Sequence, residues 1–527
     1  MDQSMVQLYA SVFALFIPLV CLIVASRSEI RHRHSALFKV LPAIGRRDEW
    51  FSSLRAQLRS VLNTADWASE GYTKFTKHNA PYLIETLDRG PVILLPSGQI
   101  KTVHKLPEGR LDVFGTLQEQ IQVKYTVRDL RVIHDPYHRY LIPSQLTRKL
   151  NLLTEPMVTE IEDAFKSSWA LGTEWQEVPI WKGCFQAIAR ATNSALCGSP
   201  LCKDEKYIKS LEGQSIAFFS GSTLISMIPG LLRPIAGYLV RLWCIYYARK
   251  ITKICAPYIE QRISETMGAK AATSSSQRPV KDGLQLIIDE AISRDDITQL
   301  SVKLITDRLL ITNNGTLHGV AFTVHHALLS LVSSEPSLGY IEALREECRN
   351  VLSDASRKWS LEAVRKLRLV DSTIRESMRI VPFGSVAMAR TVIDPQGISI
   401  DHDGSSVLIP QGTKLALPIE NIHYDENIYP QAQQFNPFRF VNFEPQDGES
   451  KGQRYTTTAD DQFFGFGTSK NPCPGRFFAV HEIKLIIAYI LLNYDIESAK
   501  LNYQPSNLLA MKVPKTDICL RMRRRPV

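Results

Sequence analysis

One cysteine stands in a sequence context that suits a metal-binding thiolate. Residues 463–479 read FFGFGTSKNPCPGRFFA, in which Cys473 lies between two prolines and precedes the apolar segment VHEIKLIIAYILL. A thiolate ligand needs a rigid loop that presents sulfur at the N-terminus of a helix, where the helix dipole lowers the pKa of the thiol. Pro472 and Pro474 restrict the backbone, and Gly475 lets a large planar ligand approach closely. The pattern predicts a ligand, although a single cysteine is more often a core residue.

Two opposite charges form a second candidate motif. In LRLVDSTIRESMRIVP, Glu376 and Arg379 are three residues apart, which places them on one face of a helix that ends before Pro382. Such a pair is usually a solvated ion pair. A further arginine, Arg439, follows in FNPFRF. If these charges are buried, each must be fully paired, because an unpaired buried charge is strongly destabilising.

The cysteine segment resembles the haem-binding signature of the cytochrome P450 family, F-x-x-G-x-x-x-C-x-G, with Phe466, Cys473 and Gly475 in place. Two positions depart from the family pattern. Ser469 replaces the first signature glycine, and Asn471 replaces the usual basic residue, which removes one expected contact to a haem propionate. The resemblance implies that Cys473 is the axial ligand of a haem b iron, with Phe466 and Gly475 against the haem. A thiolate ligand pushes electron density onto bound oxygen and favours O–O cleavage.

The same resemblance gives roles to four charged residues. Glu376, Arg379 and Arg439 are similar to the Glu-Arg-Arg network that holds the proximal side of the haem pocket in this family. Arg390 stands where the family commonly places an arginine that binds a haem propionate, and a surface arginine is the alternative interpretation. We therefore expect all four residues to contribute to cofactor binding.

Residues 417–430, LPIENIHYDENIYP, also resemble the family's stretch before the third of these charges, with His423 in the expected place. The similarity extends over nearly the whole chain. It is closest to enzymes of fungal secondary metabolism, as CPGRFFA and REECRNVL indicate.

The helix expected above the haem departs from the family at its reactive positions. Residues 308–332 read RLLITNNGTLHGVAFTVHHALLSLV, and alignment on Gly315 puts His318 at the acidic position and Gly319 at the threonine position of the proton-relaying pair. Histidine relays protons near neutral pH, so His318 is expected to be catalytic, with an ordinary helix histidine as the alternative. Gly319 has no hydroxyl, and glycine weakens a helix by ~1 kcal/mol relative to alanine. This is compatible with a local opening that admits oxygen or a bulky substrate.

The remaining pattern describes the elements that must position these residues. Helical periodicity dominates, no repeat is visible, and a few short stretches read as strands: YLIETLD, PVILLP, SSVLIPQGTKLALP and TDICLRM. We predict a mainly α fold with small β-sheets, and the resemblance implies that this is the cytochrome P450 fold, with residues 27–527 forming one haem-binding catalytic domain. Residues 266–283 read as an exposed connection within this domain.

The N-terminus predicts a membrane anchor. Residues 6–25 carry no charge, and about 20 helical residues span the ~30 Å hydrocarbon core of a bilayer. Basic residues follow closely, which leaves the rest of the chain in the cytosol. We expect residues 1–26 to be a single transmembrane helix in the endoplasmic reticulum, with a cleaved signal peptide as the alternative. A second apolar stretch, residues 215–240, contains Pro229 and Pro234, so it either dips into the membrane surface or forms a buried hairpin.

Composition limits the partners. The formal net charge of +9 arises from 62 basic and 53 acidic residues spread along the chain, which weighs against nucleic acid as a partner. The nine cysteines are odd in number and have no framework spacing, which indicates a reducing compartment and no disulfide scaffold.

The resemblance implies a monooxygenase that takes electrons from NADPH-cytochrome P450 reductase and oxidises a hydrophobic small molecule, such as a terpenoid or an indole alkaloid of fungal secondary metabolism. Two alternatives stay open. One is a haem-thiolate enzyme that performs radical coupling, desaturation or rearrangement without net oxygen insertion. The other is a non-catalytic haem-binding sensor.

Overall fold

The structure is a computed structural model that describes residues 37–527 except 108, 229, 231, 272–281, 295, 443–451, 469, 502, 504 and 527. The predicted anchor, residues 1–26, lies outside the described residues, as do Ser469 and Pro229. Helices dominate the described part of the chain and small sheets complete it, so the prediction of a mainly helical fold with small sheets is confirmed.

The helices are numbered in chain order. They are α1 (Leu37–Val40), α2 (Ser52–Lys74), α3 (Ser97–Lys105), α4 (Phe114–Gln120), α5 (Val123–Thr126), α6 (Arg131–His134), α7 (His138–Arg148), α8 (Leu150–Ser168), α9 (Ile180–Leu196), α10 (Glu205–Met227), α11 (Arg233–Ala271), α12 (Gly283–Ser293), α13 (Val302–Ser333), α14 (Tyr340–Asp354), α15 (Leu361–Lys366), α16 (Arg368–Ile380), α17 (Ile419–His423) and α18 (Arg476–Asn493).

The strands of the described residues form four sheets, with six strands in order β1-β2-β3-β9-β6-β4, three in order β10-β13-β5, and the pairs β7-β8 and β11-β12. They are β1 (Ala43–Ile44), β2 (Tyr82–Thr86), β3 (Gly90–Leu94), β4 (Leu111–Asp112), β5 (Gln176–Pro179), β6 (Ala387–Val392), β7 (Ile398–His402), β8 (Ser405–Ile409), β9 (Lys414–Leu417), β10 (Tyr494–Ile496), β11 (Ser506–Leu508), β12 (Met511–Val513) and β13 (Cys519–Arg524). All four strand-like stretches of the sequence therefore contain strands.

The chain divides into two compact units. The sheet unit comprises residues 37–126, 219–243 and 386–418 and contains the six-stranded sheet. The helical unit comprises residues 127–218, 244–385 and 419–527. Its core is one apolar cluster to which α8, α9, α13, α16 and α18 contribute buried side chains. Cys473, Glu376, Arg379, Arg439 and His318 all belong to the helical unit, whereas Arg390 belongs to the sheet unit.

The long helix α13 runs through the core of the helical unit. It begins after Ser301, whose hydroxyl accepts a hydrogen bond from the Leu304 N–H and so caps the first turn. Among the described residues it is the helix that is long and apolar enough to span a membrane, but most of its apolar stretch is buried inside the protein. We therefore assign it to the protein core.

The second apolar stretch is broken into two helices, as its prolines predict. Helix α10 ends at Met227 and α11 begins at Arg233, so no continuous helix crosses residues 215–240. Helix α11 continues to Ala271, which corrects the expectation that the connection starts at residue 266. Residues 272–281 of that connection lie outside the described residues.

Candidate active site

The cysteine segment forms a tight loop before α18. We call residues 463–475 the thiolate loop. The Cys473 N–H donates to the Phe466 carbonyl at 2.7 Å, and Gly467 pairs with Pro472 in an antiparallel bridge. Gly467 has a φ of +95°, and a Cβ at this position would lie 2.9 Å from the Asn471 carbonyl oxygen. Only glycine suits both conditions, so this residue lets the loop fold back and present Cys473.

Cys473 lies just before the N-terminus of α18. The backbone N–H groups of Gly475 and Arg476 and the positive charges of Arg476 and Arg139 favour the thiolate form of its side chain. Burial has the larger influence, so the pKa of the Cys473 thiol is raised overall. The helix N-terminus thus lowers the pKa of the thiol as expected, but burial raises this pKa by more. A bound metal cation would shift the balance toward the thiolate.

Arg139 was not predicted from the sequence. It lies on α7, and it is close enough to Cys473 that each group stabilises the charged form of the other. Burial nevertheless lowers the pKa of Arg139. The two residues are more than 300 positions apart in the chain, so only the packing of α7 beside the thiolate loop reveals the relation.

Glu376 and Arg379 form a completely buried ion pair on α16. The Arg379 guanidinium donates from Nε to Glu376 Oε2 at 2.8 Å and from Nη2 to Oε1 at 2.9 Å, and neither side chain is exposed. Arg439 donates from Nε to both carboxylate oxygens at 3.1 Å. The Asn436 N–H adds a further bond to Glu376 at 3.0 Å. The structure thus joins the three predicted charges in one network, in which the carboxylate accepts from two cations and the backbone.

Helix α13 carries a face that the rest of the unit leaves uncovered. Four residues of this helix, Thr312, Gly315, Thr316 and Gly319, are exposed or partly exposed, and Ile311 and His318 beside them are partly exposed as well. At 100° per residue these four side-chain positions fall within one arc of the helix. A Cβ at Gly315 would meet no described atom within 4 Å, and one at Gly319 would meet only Phe383 Cζ at 3.8 Å. We call these four residues the open face of α13.

His318 lies on a different side of the same helix. Its ring packs against two aromatic residues of α9, with centroid distances of 5.5 Å to Phe185 and 6.4 Å to Trp181. Burial lowers the pKa of His318 to about 4, which favours the neutral ring. The structure therefore places Gly319 on the open face and turns His318 toward α9. The predicted relay role of His318 stays a prediction.

The other predicted cofactor residues occupy varied settings. Phe466 is partly buried and packs against the main apolar cluster of the helical unit. A Cβ at Gly475 would lie 4.0 Å from the Cys473 sulfur, so glycine keeps one side of that sulfur clear. Arg390 lies on β6 of the sheet unit, where it is 5% exposed and burial lowers its pKa to about 10. Its predicted contact with a haem propionate remains a prediction.

These features fit a thiolate-ligated haem. Cys473 stands in a tight hydrogen-bonded loop directly before the N-terminus of α18, and glycine stands beside its sulfur. The open face of α13 provides space that side chains of the described residues leave free. The donor set is a single thiolate, and no group of three or more His, Cys, Asp or Glu residues able to hold a metal ion occurs among the described residues. That donor set suits an iron whose other ligands come from a macrocycle.

Comparison with known proteins gives a consistent result. The sequence profile described as Cytochrome P450 matches residues 150–520. The chain is 37% identical over 505 residues to the cytochrome P450 monooxygenase okaG of Penicillium ochrochloron, covering 92% of this chain and 94% of that protein. It is 30% identical over 530 residues to the cytochrome P450 monooxygenase gloP of Glarea lozoyensis, covering 97% and 95%. Both relatives are fungal proteins similar to this chain over nearly its whole length.

Proposed function

The chain belongs to the cytochrome P450 family and is an oxidoreductase of the monooxygenase type, and we propose that it oxidises a hydrophobic small molecule of fungal secondary metabolism with electrons from NADPH-cytochrome P450 reductase. The family and the fungal relatives support this proposal. Terpenoids and indole alkaloids are the substrate classes that we would test first.

The haem would take its thiolate ligand from Cys473, with Phe466 and Gly475 in contact with it. The resemblance to the family assigns Arg390 to a propionate. When bound, a haem with this ligand supplies oxygen activation, because the thiolate donates electron density to the iron. The protein supplies the ligand, the orientation of the substrate and a site from which water is excluded. The network of Glu376, Arg379 and Arg439 would hold the thiolate loop in place.

The open face of α13 suggests which groups could move protons. Thr312 and Thr316 carry hydroxyls there, which donate to the carbonyls of Arg308 at 2.9 Å and Thr312 at 3.0 Å. A hydroxyl that donates one bond can still accept another from water or substrate. We propose that these hydroxyls take over the role of the missing hydroxyl at Gly319. His318 competes with them as a candidate, but its ring faces α9.

One observation carries the proposed chemistry: a tight loop, closed by the bond from the Cys473 N–H to the Phe466 carbonyl at 2.7 Å, places Cys473 directly before the N-terminus of α18. The test is the Cys473→Ser substitution in the holoprotein. We expect the strongly red-shifted absorption band of the reduced carbon monoxide complex in the wild type and its complete loss in the variant. Cys519→Ser, which changes an exposed cysteine, should keep the band. A wild-type protein without the band would overturn the thiolate assignment.

A second candidate reaction inserts no oxygen. It is favoured by Gly319, which has no hydroxyl and whose Cβ position has space up to Phe383. A radical coupling, desaturation or rearrangement needs room for the substrate more than it needs proton delivery. Product analysis with NADPH, reductase and isotopically labelled oxygen separates the two candidates. Labelled oxygen in the product supports the monooxygenase reaction, and an oxidised product without the label supports the second candidate.

Attachment to the endoplasmic reticulum membrane is proposed from the uncharged residues 6–25. An exposed apolar stripe supports it. Ile235, Tyr238, Leu239 and Leu242 on α11 follow helical spacing and are between 61 and 65% exposed. Such a face favours contact with a lipid surface. Deleting residues 1–26 should release much of the protein from carbonate-washed membranes, and adding Leu239→Lys should release more. Full-length protein in the soluble fraction would contradict the proposal.

A further inference from the structure

A buried histidine connects the Glu-Arg-Arg network to the thiolate loop. His423 ends α17 and its side chain is completely buried. Its Nδ1 lies 3.2 Å from the Arg379 carbonyl oxygen, and its Nε2 accepts a hydrogen bond from the Phe464 N–H at 3.1 Å. In return, Arg379 Nη1 donates to the His423 carbonyl at 2.5 Å. The imidazole thus bridges a residue of α16 and a residue of the thiolate loop.

The two partners determine the state of the ring. A carbonyl oxygen can only accept, so the proton must be on Nδ1, and a backbone N–H can only donate, so Nε2 must carry the lone pair. Protonation of Nε2 would place two donors against each other. Burial, together with the charges of Arg379 and Arg375, lowers the pKa of His423 to about 3, which agrees with a neutral ring.

Contacts and hydrogen bonds connect His423, through Phe464, to the turn that carries Cys473. The His423 ring lies nearly parallel to the rings of Phe463 and Phe464, at 14° and 12°, with centroid distances of 5.6 and 5.9 Å. The Phe464 carbonyl accepts the Gly467 N–H at 3.2 Å. Two residues along from Phe464, the Phe466 carbonyl accepts the Cys473 N–H. A displacement of Phe464 would therefore act on the turn that presents Cys473.

We propose that His423 is a positioning residue that fixes the thiolate loop against α16, and that it does so through the bond from the Phe464 N–H to Nε2. The inference rests on the proposed role of Cys473 as the haem ligand. It adds a neutral hydrogen-bonding link to the charged network of Glu376, Arg379 and Arg439. In this arrangement the charged network anchors His423, and His423 orients the loop.

Two substitutions separate the halves of the bridge. The amide of asparagine ends at the distance of Nδ1 from the backbone, so His423→Asn can keep the bond to the Arg379 carbonyl and loses the acceptor for Phe464. The amide oxygen of glutamine reaches the position of Nε2, so His423→Gln can accept from the Phe464 N–H. If the proposal holds, glutamine rescues and asparagine does not. His423→Ala removes both bonds.

The first measurement is amide hydrogen exchange at Phe464 in the ligand-free full chain. Exchange at Phe464 should be slow in the wild type and in His423→Gln. It should be roughly tenfold faster in His423→Asn and His423→Ala, as expected for the loss of one buried hydrogen bond. The second measurement is the fraction of holoprotein that shows the red-shifted carbon monoxide band. This fraction should be high in the wild type and in His423→Gln, and lower in His423→Asn and His423→Ala.

A matched control is His481→Ala. His481 is also buried, and its Nε2 lies 3.0 Å from the Thr154 hydroxyl, away from the thiolate loop. This variant should lower stability without changing exchange at Phe464. Equal behaviour of the glutamine and alanine variants, or unchanged exchange in His423→Ala, would overturn the inference. A wild type that lacks the band would instead overturn the proposed function, while the exchange experiment would still decide the role of His423.

Discussion

The thiolate loop and the open face of α13 belong to the same unit, but they differ in how strongly contacts fix each residue. On the loop side, the Glu376 carboxylate has three bonded neighbours and His423 has partners on both ring nitrogens. On the open face, Gly315 and Gly319 have almost no neighbours, and the two threonine hydroxyls bond only within their own helix. The thiolate loop, which we propose as the haem-binding side, is tightly constrained, whereas the open face, which we propose as the substrate side, has fewer contacts that fix its residues.

The largest effect is expected from a change in the buried network beside the thiolate loop. Arg379→Ala removes a buried cation and leaves the Glu376 carboxylate with less compensation, which typically costs about 3–5 kcal/mol. We expect little haem in the purified variant and a lower free energy of unfolding. The haem-to-protein ratio and urea unfolding of the ligand-free protein measure both effects. Arg521→Ala is the control, because Arg521 pairs with Glu497 at 2.9 Å on the surface and should cost at most about 1 kcal/mol. Similar losses of haem and of unfolding free energy in Arg379→Ala and Arg521→Ala would show that the buried network is no more important than a surface ion pair.

The sequence was informative about the constrained side for a physical reason. Glu376 and Arg379 are three residues apart on one helix, and Cys473 precedes a helix directly, so local spacing already defines their relation. The small strands and the break between α10 and α11 were also predicted from local sequence features. The bridge through His423 and the proximity of Arg139 to Cys473 depend on tertiary packing instead. No spacing in the sequence could have revealed them.

The open face shows a second limit of sequence reasoning. The sequence predicted one long helix that carries His318 and Gly319, and neighbouring residues on a helix point about 100° apart. The packing of α13 against α9 turns the His318 ring toward Phe185, which the sequence does not show. The sequence pattern assigned no role in catalysis to Thr312 and Thr316, which lie about two turns and one turn before Gly319.

Acid sensitivity should affect the helical unit. Burial lowers the pKa of His423 and His481 to about 3, and that of His318 and His325 on α13 to about 4. Below the ordinary value of about 6.5 the unfolded chain binds protons that the folded chain does not, so the free energy of unfolding falls as the pH falls. Each histidine contributes a slope of up to about 1.4 kcal/mol per pH unit.

Urea unfolding of the ligand-free protein at several pH values between about 7 and 5 measures this slope. His481→Gln and His325→Gln should each reduce it, because each variant removes one titrating ring from the folded and the unfolded chain. A wild-type slope near zero across this range would show that these histidines titrate normally in the folded protein.

A smaller effect is expected on the open face. Thr316→Val removes a hydroxyl but keeps the shape of the side chain, and we expect product formed per NADPH to fall by about tenfold or less, at or below the low end of general acid catalysis. His318→Gln should change this ratio less, because the ring faces Phe185 and Trp181. The opposite order would assign proton delivery to His318 and contradict our proposal for the threonine hydroxyls.

The smallest effect concerns the two glycines of the open face. An alanine methyl at Gly315 or Gly319 fits without a clash, since the nearest described atom is Phe383 Cζ at 3.8 Å from the Gly319 position. Each substitution should therefore raise the free energy of unfolding by up to ~1 kcal/mol through helix propensity alone. If Gly319 serves only as a gap in the helix, the two variants will also give the same product pattern. If the space beside Phe383 holds the substrate, Gly319→Ala will change the product pattern and Gly315→Ala will not. The two variants therefore show whether Gly319 only lowers the stability of α13 or also provides space that the reaction requires.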